Sequence, residues 1–245
     1  MDGPERDPIP FRPHVPGTQP PYDAPPYRST GLRHPFRALV RPPHTVTETT
    51  GPQFSEQQFP AVVDISVVDG RTAVGERIIV EGRVLDEDGR PVPHTMIEIW
   101  QANAAGRYHH PRDQHAAPLD GNFRGTGRVF ADARGAYRFT TIKPGAYPWR
   151  NHANAWRPNH IHYSLFGPGF ATRLITQMYF PGDPLLPLDP IFNCVPDAAA
   201  RNRLVAAFDI GVTQPEWALG YRFDIVLRGR GATPADPADD HEEQV

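Results

Sequence analysis

The sequence is poor in cysteine, in long apolar runs and in clustered positive charge, and each scarcity excludes a class of protein. The single Cys194 excludes an internal disulfide. No apolar run approaches the ~20 residues of a membrane-spanning helix, and the first ten residues have neither the basic nor the apolar region of a signal peptide. A net charge of −3 without a basic tract argues against nucleic acid as the main partner. We therefore expect a cytoplasmic protein that binds neither nucleic acid nor membrane.

Proline, in contrast, is abundant. The 245 residues include 30 prolines, and 14 of these lie in residues 1–60, against an average usage of about 5%. A disordered linker would be poor in aromatic residues. This stretch contains Phe11, Tyr22, Tyr27, Phe36, Phe54 and Phe59. We predict that residues 1–60 form an extended arm that packs on its own domain or on a partner subunit.

Strand patterns separated by turn residues begin at residue 61. The predicted strands are residues 61–68, 76–85, 94–101, 136–142, 159–166, 173–180, 204–210 and 221–227. Only residues 196–203 look helical. Short strands with little helix predict an all-β sandwich over residues 61–230, followed by an acidic, disordered tail over residues 231–245. Two long predicted loops, residues 102–134 and 143–158, indicate a functional region.

The second of these loops leads into the most informative stretch, residues 147–162, which read YPWRNHANAWRPNHIH. Residues i and i+2 of a strand point to the same face, so His160 and His162 would present two imidazoles side by side. Taken alone, this pair fits a metal site and a hydrogen-bonded pair on a sheet equally well. Tyr108, taken alone, fits a packed surface aromatic better than a ligand.

The residue types restrict the metal that such a site would select. Imidazole suits Zn, Cu, Fe and Ni, and no carboxylate accompanies the His pair as the third ligand of a zinc hydrolase site. Phenolate oxygen is a hard, anionic iron ligand. A set of two tyrosines and two histidines would offset most of a trivalent charge and hold iron as Fe(III).

Two motifs resemble those of the intradiol ring-cleaving dioxygenases. Residues 98–108 read EIWQANAAGRY, and Tyr147 precedes the motif RPNHIH of residues 157–162. The spacing is specific (Tyr, 38 residues, Tyr, 12 residues, His-x-His), and the resemblance covers roughly residues 60–230. It implies a transthyretin-like β-sandwich with one non-haem Fe(III) per chain and no nucleotide, flavin or haem. The iron ligands that it implies are Tyr108, Tyr147, His160 and His162.

The resemblance also implies roles for residues around the iron. Arg157 would place a fixed positive charge beside the metal, and Gln177 would line the pocket. Tyr147 would leave the metal and act as a base when the substrate binds. The substrate-binding residues would be Trp149 and Ile191 as pocket walls, and Tyr22 or Tyr27 of the arm. The ordinary alternatives are a surface position for Arg157 and simple sheet packing for Gln177.

Within the family, the chain resembles the iron-bearing β subunits of the branch that cleaves protocatechuate (3,4-dihydroxybenzoate) to 3-carboxy-cis,cis-muconate in the β-ketoadipate pathway of aromatic-compound catabolism. The arm stands where the catechol and hydroxyquinol enzymes have a helical dimerisation domain. The implied partner is a homologous α subunit, in αβ units of a larger oligomer, and the substrates are an aromatic diol and dioxygen. The alternatives are cleavage of catechol or hydroxyquinol, and a non-catalytic β-sandwich interaction module.

Overall fold

The computed structural model describes residues 14–40, 54–167 and 173–237. The strands in this part of the chain are β1 (Val67–Val68), β2 (Arg71–Thr72), β3 (Arg77–Leu85), β4 (Met96–Trp100), β5 (Thr126–Phe130), β6 (Ala136–Ile142), β7 (Tyr147–Trp149), β8 (Ala155–Arg157), β9 (His160–Phe166), β10 (Arg173–Tyr179), β11 (Ala207–Phe208), β12 (Leu219–Arg222) and β13 (Ile225–Val226). The helices are α1 (Thr30–Arg33), α2 (Pro190–Asn193) and α3 (Ala198–Asn202), with a 3-10 turn at Leu186–Leu188. None of the described helices is long and apolar enough to cross a membrane.

Two sheets form a sandwich around one apolar core. The first sheet has the antiparallel order β10-β9-β4-β5. In the second, β3 pairs with β6 on one side and with β12 and β13 on the other, in the order β11-β12-β3-β13. The inner faces of both sheets contribute to the same cluster of buried side chains. The predicted all-β sandwich with little helix is confirmed.

Strand β9 shows how the sandwich positions the site. Its alternate residues Ile161, Tyr163 and Leu165 belong to the core cluster. The period of two therefore places His160 and His162 on the opposite face, where both are also buried, at 2% exposure each. Because both faces of β9 are buried, its sequence does not alternate between apolar and charged residues.

Several predicted boundaries are wrong, for physical reasons. Residues 61–68 form only the two-residue β1, because Val62 and Asp64 make isolated bridges instead of a continuous ladder. Residues 204–210 shorten to β11. The predicted loop 102–134 contains β5, whose sequence TGRVF has too few apolar residues to signal a strand and which pairs with β4. The predicted loop 143–158 contains the short hairpin of β7 and β8.

The prediction of disorder from residue 231 onward is also wrong for residues 231–237, which we call the C-terminal segment. Thr233 N donates to Val226 O at 2.9 Å, and Thr176 Oγ1 of β10 donates to Pro234 O at 2.7 Å. Ala232 and Thr233 are each only 2% exposed. Composition misleads here because the segment is held mainly by hydrogen bonds to its own backbone groups, with only small apolar side chains such as Ala235 packed on the core. Residues 238–245 lie outside the described residues.

The described part of the arm contacts its own domain near the second predicted loop. Asn151 Nδ2 donates to Pro26 O at 2.7 Å, and Arg28 N donates to Asn151 Oδ1 at 2.9 Å. Tyr27 lies between these contacts and is only 1% exposed. A single asparagine side chain thus satisfies two backbone groups of a chain that has no strand ladder. Phe11 lies outside the described residues.

Candidate metal centre

Four donor atoms converge beside the outer face of β9. The Tyr108 hydroxyl lies 3.1 Å from His162 Nε2, and the Tyr147 hydroxyl lies 3.4 Å from His160 Nε2. The two histidine Nε2 atoms are 3.2 Å apart. The tyrosines are each 6% exposed. The structure therefore brings together the four side chains that the sequence resemblance selected as ligands.

The donor set fits an iron ion. Donors bound at about 2.0–2.2 Å to one metal lie roughly 3–3.5 Å from each other, which matches the spacing found here. His160 Nδ1 lies 2.6 Å from Pro158 O and so carries the ring proton, which leaves the Nε2 lone pair facing the other donors. Among the described residues no group of three or more His, Cys, Asp or Glu side chains could hold a metal, so the candidate site is this mixed set, with the hard phenolates that suit ferric iron.

Local sequence fixes Tyr108 in the first half of the loop between β4 and β5. Asn103 Oδ1 accepts from the backbone of Ala105 and Arg107 at 2.9 and 3.0 Å, and Tyr108 N donates to Asp113 Oδ2 at 2.7 Å. Gly106 has a φ of +76°, and a Cβ there would lie 2.1 Å from Ala146 O. Glycine is therefore required for this loop to approach the residues just before Tyr147.

Tyr147 lies in a short β-hairpin. It is paired with Arg157 in the β7–β8 hairpin, whose two strands have three residues each. The hairpin turn includes Asn154 at a φ of +57°, a conformation that asparagine tolerates better than most residues. The register of this hairpin brings Arg157 next to the candidate ligand Tyr147, a placement that the sequence separation alone did not indicate.

Arg157 is fully buried, at 0% exposure, and is held by several polar groups. Its Nη2 donates to Gln177 Oε1 at 2.5 Å and to the Tyr179 hydroxyl at 3.2 Å. Its Nε lies 3.3 Å from Asp189 Oδ1, and that aspartate is also fully buried. A buried charge is tolerated only when it is paired and hydrogen-bonded. The alternative of a surface arginine is thereby excluded, and Gln177 faces the same buried network.

An open cleft of about 570 Å³ leads to the two tyrosines, within the range of small-molecule sites. Its lining consists of residues 108, 112–116 and 147–150. Arg112, His115 and Arg150 bring basic groups to this lining. The cleft thus reaches the two tyrosines of the candidate site and has more basic than acidic groups in its lining, since its one carboxylate, Asp113, is paired with Arg107.

Of the predicted substrate-binding residues, Trp149 lines the cleft. The other three, Tyr22, Tyr27 and Ile191, are not part of its lining. Tyr27 packs on Trp149 at a ring distance of 5.5 Å, and Ile191 belongs to the same cluster. The guanidinium carbon of Arg157 lies 5.4 Å from the centre of the same Trp149 ring. Tyr22 is 66% exposed and is absent from the cleft lining, because the chain turns inward only later, where Ala24 N donates to Thr30 Oγ1.

Sequence reasoning missed other residues of the site. The Trp100 ring stacks on the His162 ring, with centroids 4.8 Å apart and planes at 6°; strand alternation could have found this contact, since the two residues are register partners. Asp189, which accepts from Ile191 N and Phe192 N, had a detectable signal in the helix-start sequence Asp-Pro. Tyr179 and Asp236 had no comparable signal in the sequence.

Other candidate side chains are excluded by their surroundings. Burial raises the pKa of the Cys194 thiol to about 12, so it stays protonated and is a poor nucleophile or metal ligand at neutral pH. Burial also raises the pKa of Tyr137 and Tyr163 in the core, which keeps both as phenols. His109, His110 and His152 are exposed on loops.

The fold and site together define a β-sandwich protein with a candidate iron centre of two tyrosines and two histidines. A family profile described as "Dioxygenase" matches residues 49–229, and one described as "Protocatechuate 3,4-dioxygenase beta subunit N terminal" matches residues 11–45. The chain therefore belongs to the intradiol ring-cleaving dioxygenase family, which depends on non-haem iron. The resemblance noted in the sequence is confirmed.

Individual relatives support this assignment. The chain is 55% identical over 222 residues to the protocatechuate 3,4-dioxygenase beta chain of Burkholderia cepacia, covering 89% of this chain and 94% of the relative. It is 31% identical to the alpha chain of the same enzyme from the same species, covering 77% and 94%. The solved structure of catechol 1,2-dioxygenase from Acinetobacter sp. ADP1, inhibited by bound mercury, is 28% identical with a TM-score of 0.50, covering 69% and 58%.

Proposed function

We propose that this chain is the iron-bearing β subunit of an enzyme that cleaves protocatechuate between its two hydroxylated carbons with dioxygen, giving 3-carboxy-cis,cis-muconate. The observation that carries the proposal is the convergence of two tyrosines and two histidines, with the two tyrosines also lining an open cleft. The 55% identity to a protocatechuate 3,4-dioxygenase beta chain supports the same conclusion. Residues 1–60 would serve as an assembly arm and residues 61–230 as the catalytic domain.

One Fe(III) would be held by Tyr108, Tyr147, His160 and His162. When bound, the iron would act as a Lewis acid that makes the diol more acidic and the aromatic ring more reactive toward dioxygen. The chain itself must then orient the diol, accept its protons and stabilise the charge that develops on the ring.

Tyr147 is the residue that we assign to proton transfer. The three-residue hairpin strand that carries it can move more easily than the loop of Tyr108, which is fixed by Asn103 and Asp113. Its hydroxyl is also farther from its histidine neighbour, at 3.4 Å against 3.1 Å for Tyr108. A phenolate released from a metal is a base that can take a proton from the incoming diol. Tyr108 and the two histidines would stay in place.

Arg157 supplies a fixed positive charge. Asp189 and Gln177 hold its guanidinium from two sides, so it needs no reorganisation when charge develops nearby. It reaches the metal centre through Tyr179, whose ring lies 5.8 Å from that of His160. A preorganised charge in a site closed to water stabilises a carbanionic ring carbon more strongly than the same charge in water would.

The outer part of the cleft favours protocatechuate over catechol and hydroxyquinol. Arg112, His115 and Arg150 line the cleft, together with Asp113, which is paired with Arg107, and basic groups attract the carboxylate that only protocatechuate carries among these diols. Tyr27, behind Trp149, would support this end of the pocket. The exposed Tyr22 is not retained in this role.

The arm is the proposed docking element for a homologous α subunit. Its side chains Leu32, Phe36, Leu39 and Val40 are 87%, 89%, 62% and 90% exposed. Burying an apolar side chain of this size contributes about 1.5–3 kcal/mol, so covering four of them is a substantial driving force. Relatives of this chain are named as alpha and beta chains of one enzyme. We propose αβ units within a larger oligomer.

Co-expression with a homologous α chain tests the function. We expect a deeply coloured protein that consumes oxygen with protocatechuate and forms the carboxymuconate. We also expect that a variant lacking residues 1–40 no longer binds the α chain. Activity on catechol or hydroxyquinol with none on protocatechuate would establish the alternative diol. A colourless, iron-free protein would indicate a non-catalytic module.

A further inference from the structure

The C-terminal segment brings a carboxylate to the buried side of the metal centre. Asp236 N donates to Ile175 O of β10 at 2.8 Å, and Ala235 N donates to Gln19 Oε1 of the arm at 2.8 Å. Together with the Thr176–Pro234 bond, these contacts fix the backbone on both sides of the aspartate. The Asp236 side chain is fully buried, at 0% exposure.

Asp236 faces two residues of the site at once. Its Oδ2 accepts from Gln177 Nε2 at 2.6 Å and lies 3.7 Å from His162 Nδ1. Gln177 and His162 are register partners across β10 and β9, so one carboxylate reaches both from the same direction. The contact joins the chain terminus to the two strands that form the base of the site.

The contact with Gln177 determines which way its amide points. With Nε2 directed at Asp236, Oε1 must face the other way, where it accepts from Arg157 Nη2 at 2.5 Å and from the Tyr179 hydroxyl at 2.8 Å. A flipped amide would place its NH₂ group against the guanidinium, so that two donors would face each other, and its oxygen against the carboxylate. Asp236 therefore fixes the acceptor that holds Arg157.

The contact with His162 has a counterpart at the other histidine. His160 Nδ1 is held by the backbone carbonyl of Pro158. A histidine ligand is usually oriented through its second nitrogen by a carbonyl or a carboxylate, and a carboxylate makes the imidazole a stronger donor. Asp236 is the carboxylate beside the second nitrogen of His162.

We propose that Asp236 is a positioning residue of the metal centre: it orients His162 as a ligand and, through Gln177, fixes the guanidinium of Arg157. This inference rests on the proposed function for the identity of the metal. It also assigns a role to the C-terminal segment, which completes the site from outside the sandwich strands.

The test measures iron retention and the optical spectrum of the full chain co-expressed with α. Replacing Asp236 with Asn should speed release of iron to a chelator by roughly 10–100-fold and shift the tyrosinate-to-iron absorption band in the absence of substrate. Asp236→Glu should restore most of both properties. Asp88→Asn, on an exposed turn, is the matched control and should change neither.

The outcomes separate the inference from the proposed function. Iron-loaded, coloured wild-type protein with unchanged release and an unchanged band in Asp236→Asn would overturn the inference alone. Wild-type protein without iron or colour would overturn the proposed function. A purely structural role would lower the melting temperature of the metal-free protein without moving the band of the loaded protein, and that result also contradicts the inference. If Asp236→Asn does not fold, Asp236→Ser, which removes the charge but keeps a small polar group, must show the faster release.

Discussion

The two sides of the metal cleft are built differently. On the buried side, Arg157, Gln177, Tyr179, Asp189 and Asp236 are linked through hydrogen bonds and ion pairs of 2.5–3.3 Å. On the open side, the lining comes from residues 112–116 and from residues 147–150, the first strand and turn of the hairpin. The strand that carries both histidines belongs to the first side, and Tyr147 belongs to the second.

This difference indicates that the two sides of the cleft have separate roles. The buried side holds charge and geometry constant, which is what preorganised stabilisation of a transition state requires. Under the proposed function, the open side would admit the substrate, and it contains Tyr147, the candidate ligand that we expect to move. Substitutions on the buried side should therefore reduce metal binding or chemistry, and those on the open side should change how the substrate binds.

The largest effect should follow from removing a ligand on the strand. We expect His160→Ala to lose most of its iron and at least ~10³-fold in kcat/KM, since β9 offers no other donor at that position. His152→Ala, an exposed histidine of the neighbouring hairpin turn, is the control and should keep both. Metal analysis of the purified proteins is the measurement, and full iron content in His160→Ala would remove it from the ligand set.

Arg157→Leu should come next, with iron retained and kcat lowered roughly 10²–10³-fold. The change also leaves Asp189 buried without its cation, so the melting temperature should fall. Arg157→Lys, which keeps the charge but not the planar fork, should give an intermediate kcat. Arg138→Leu, a surface pair with Glu81, is the control. Wild-type turnover in Arg157→Leu would exclude the residue from the chemistry.

Tyr147→Phe should have a smaller effect on iron and a distinct effect on binding. We expect the iron to be retained, the absorption band to move, and substrate to bind ~10–100-fold more slowly because a base has been lost. Stopped-flow mixing with protocatechuate without oxygen measures this rate, with Tyr221→Phe of the second sheet as control. If a substrate complex had Tyr108 displaced and Tyr147 still bound, the two roles would be reversed.

The smallest effect should come from Asn151→Ala, which removes the two hydrogen bonds to the arm. Losing these bonds should destabilise the ordered position of the arm by about 1–2 kcal/mol. We therefore expect the KM for protocatechuate to rise several-fold and kcat to stay nearly unchanged. Asn202→Ala, exposed on α3, is the control. An unchanged KM would mean that the arm position near Tyr27 does not affect the pocket.

The part of the site that could be predicted from the sequence is the part that depends on strand alternation and motif spacing. His160 and His162 follow from a period of two, and the two tyrosines follow from the family motif. Asp236 could not be predicted, because the backbone of its segment is held by hydrogen bonds with Val226 O, Ile175 O and the Thr176 hydroxyl, which leave no pattern in the composition. The sequence could not separate the exposed Tyr22 from the buried Tyr27, because proline-rich sequence does not reveal where an extended chain turns inward.

The central claim is an iron centre that binds protocatechuate, and a titration without oxygen tests it most directly. The wild-type chain, co-expressed with α, should contain one iron per chain and show a tyrosinate-to-iron band that shifts when one equivalent of protocatechuate is added. Admitting oxygen should then return the original band and yield the carboxymuconate. Protein that lacks iron, or a band that protocatechuate leaves unmoved, would contradict the account.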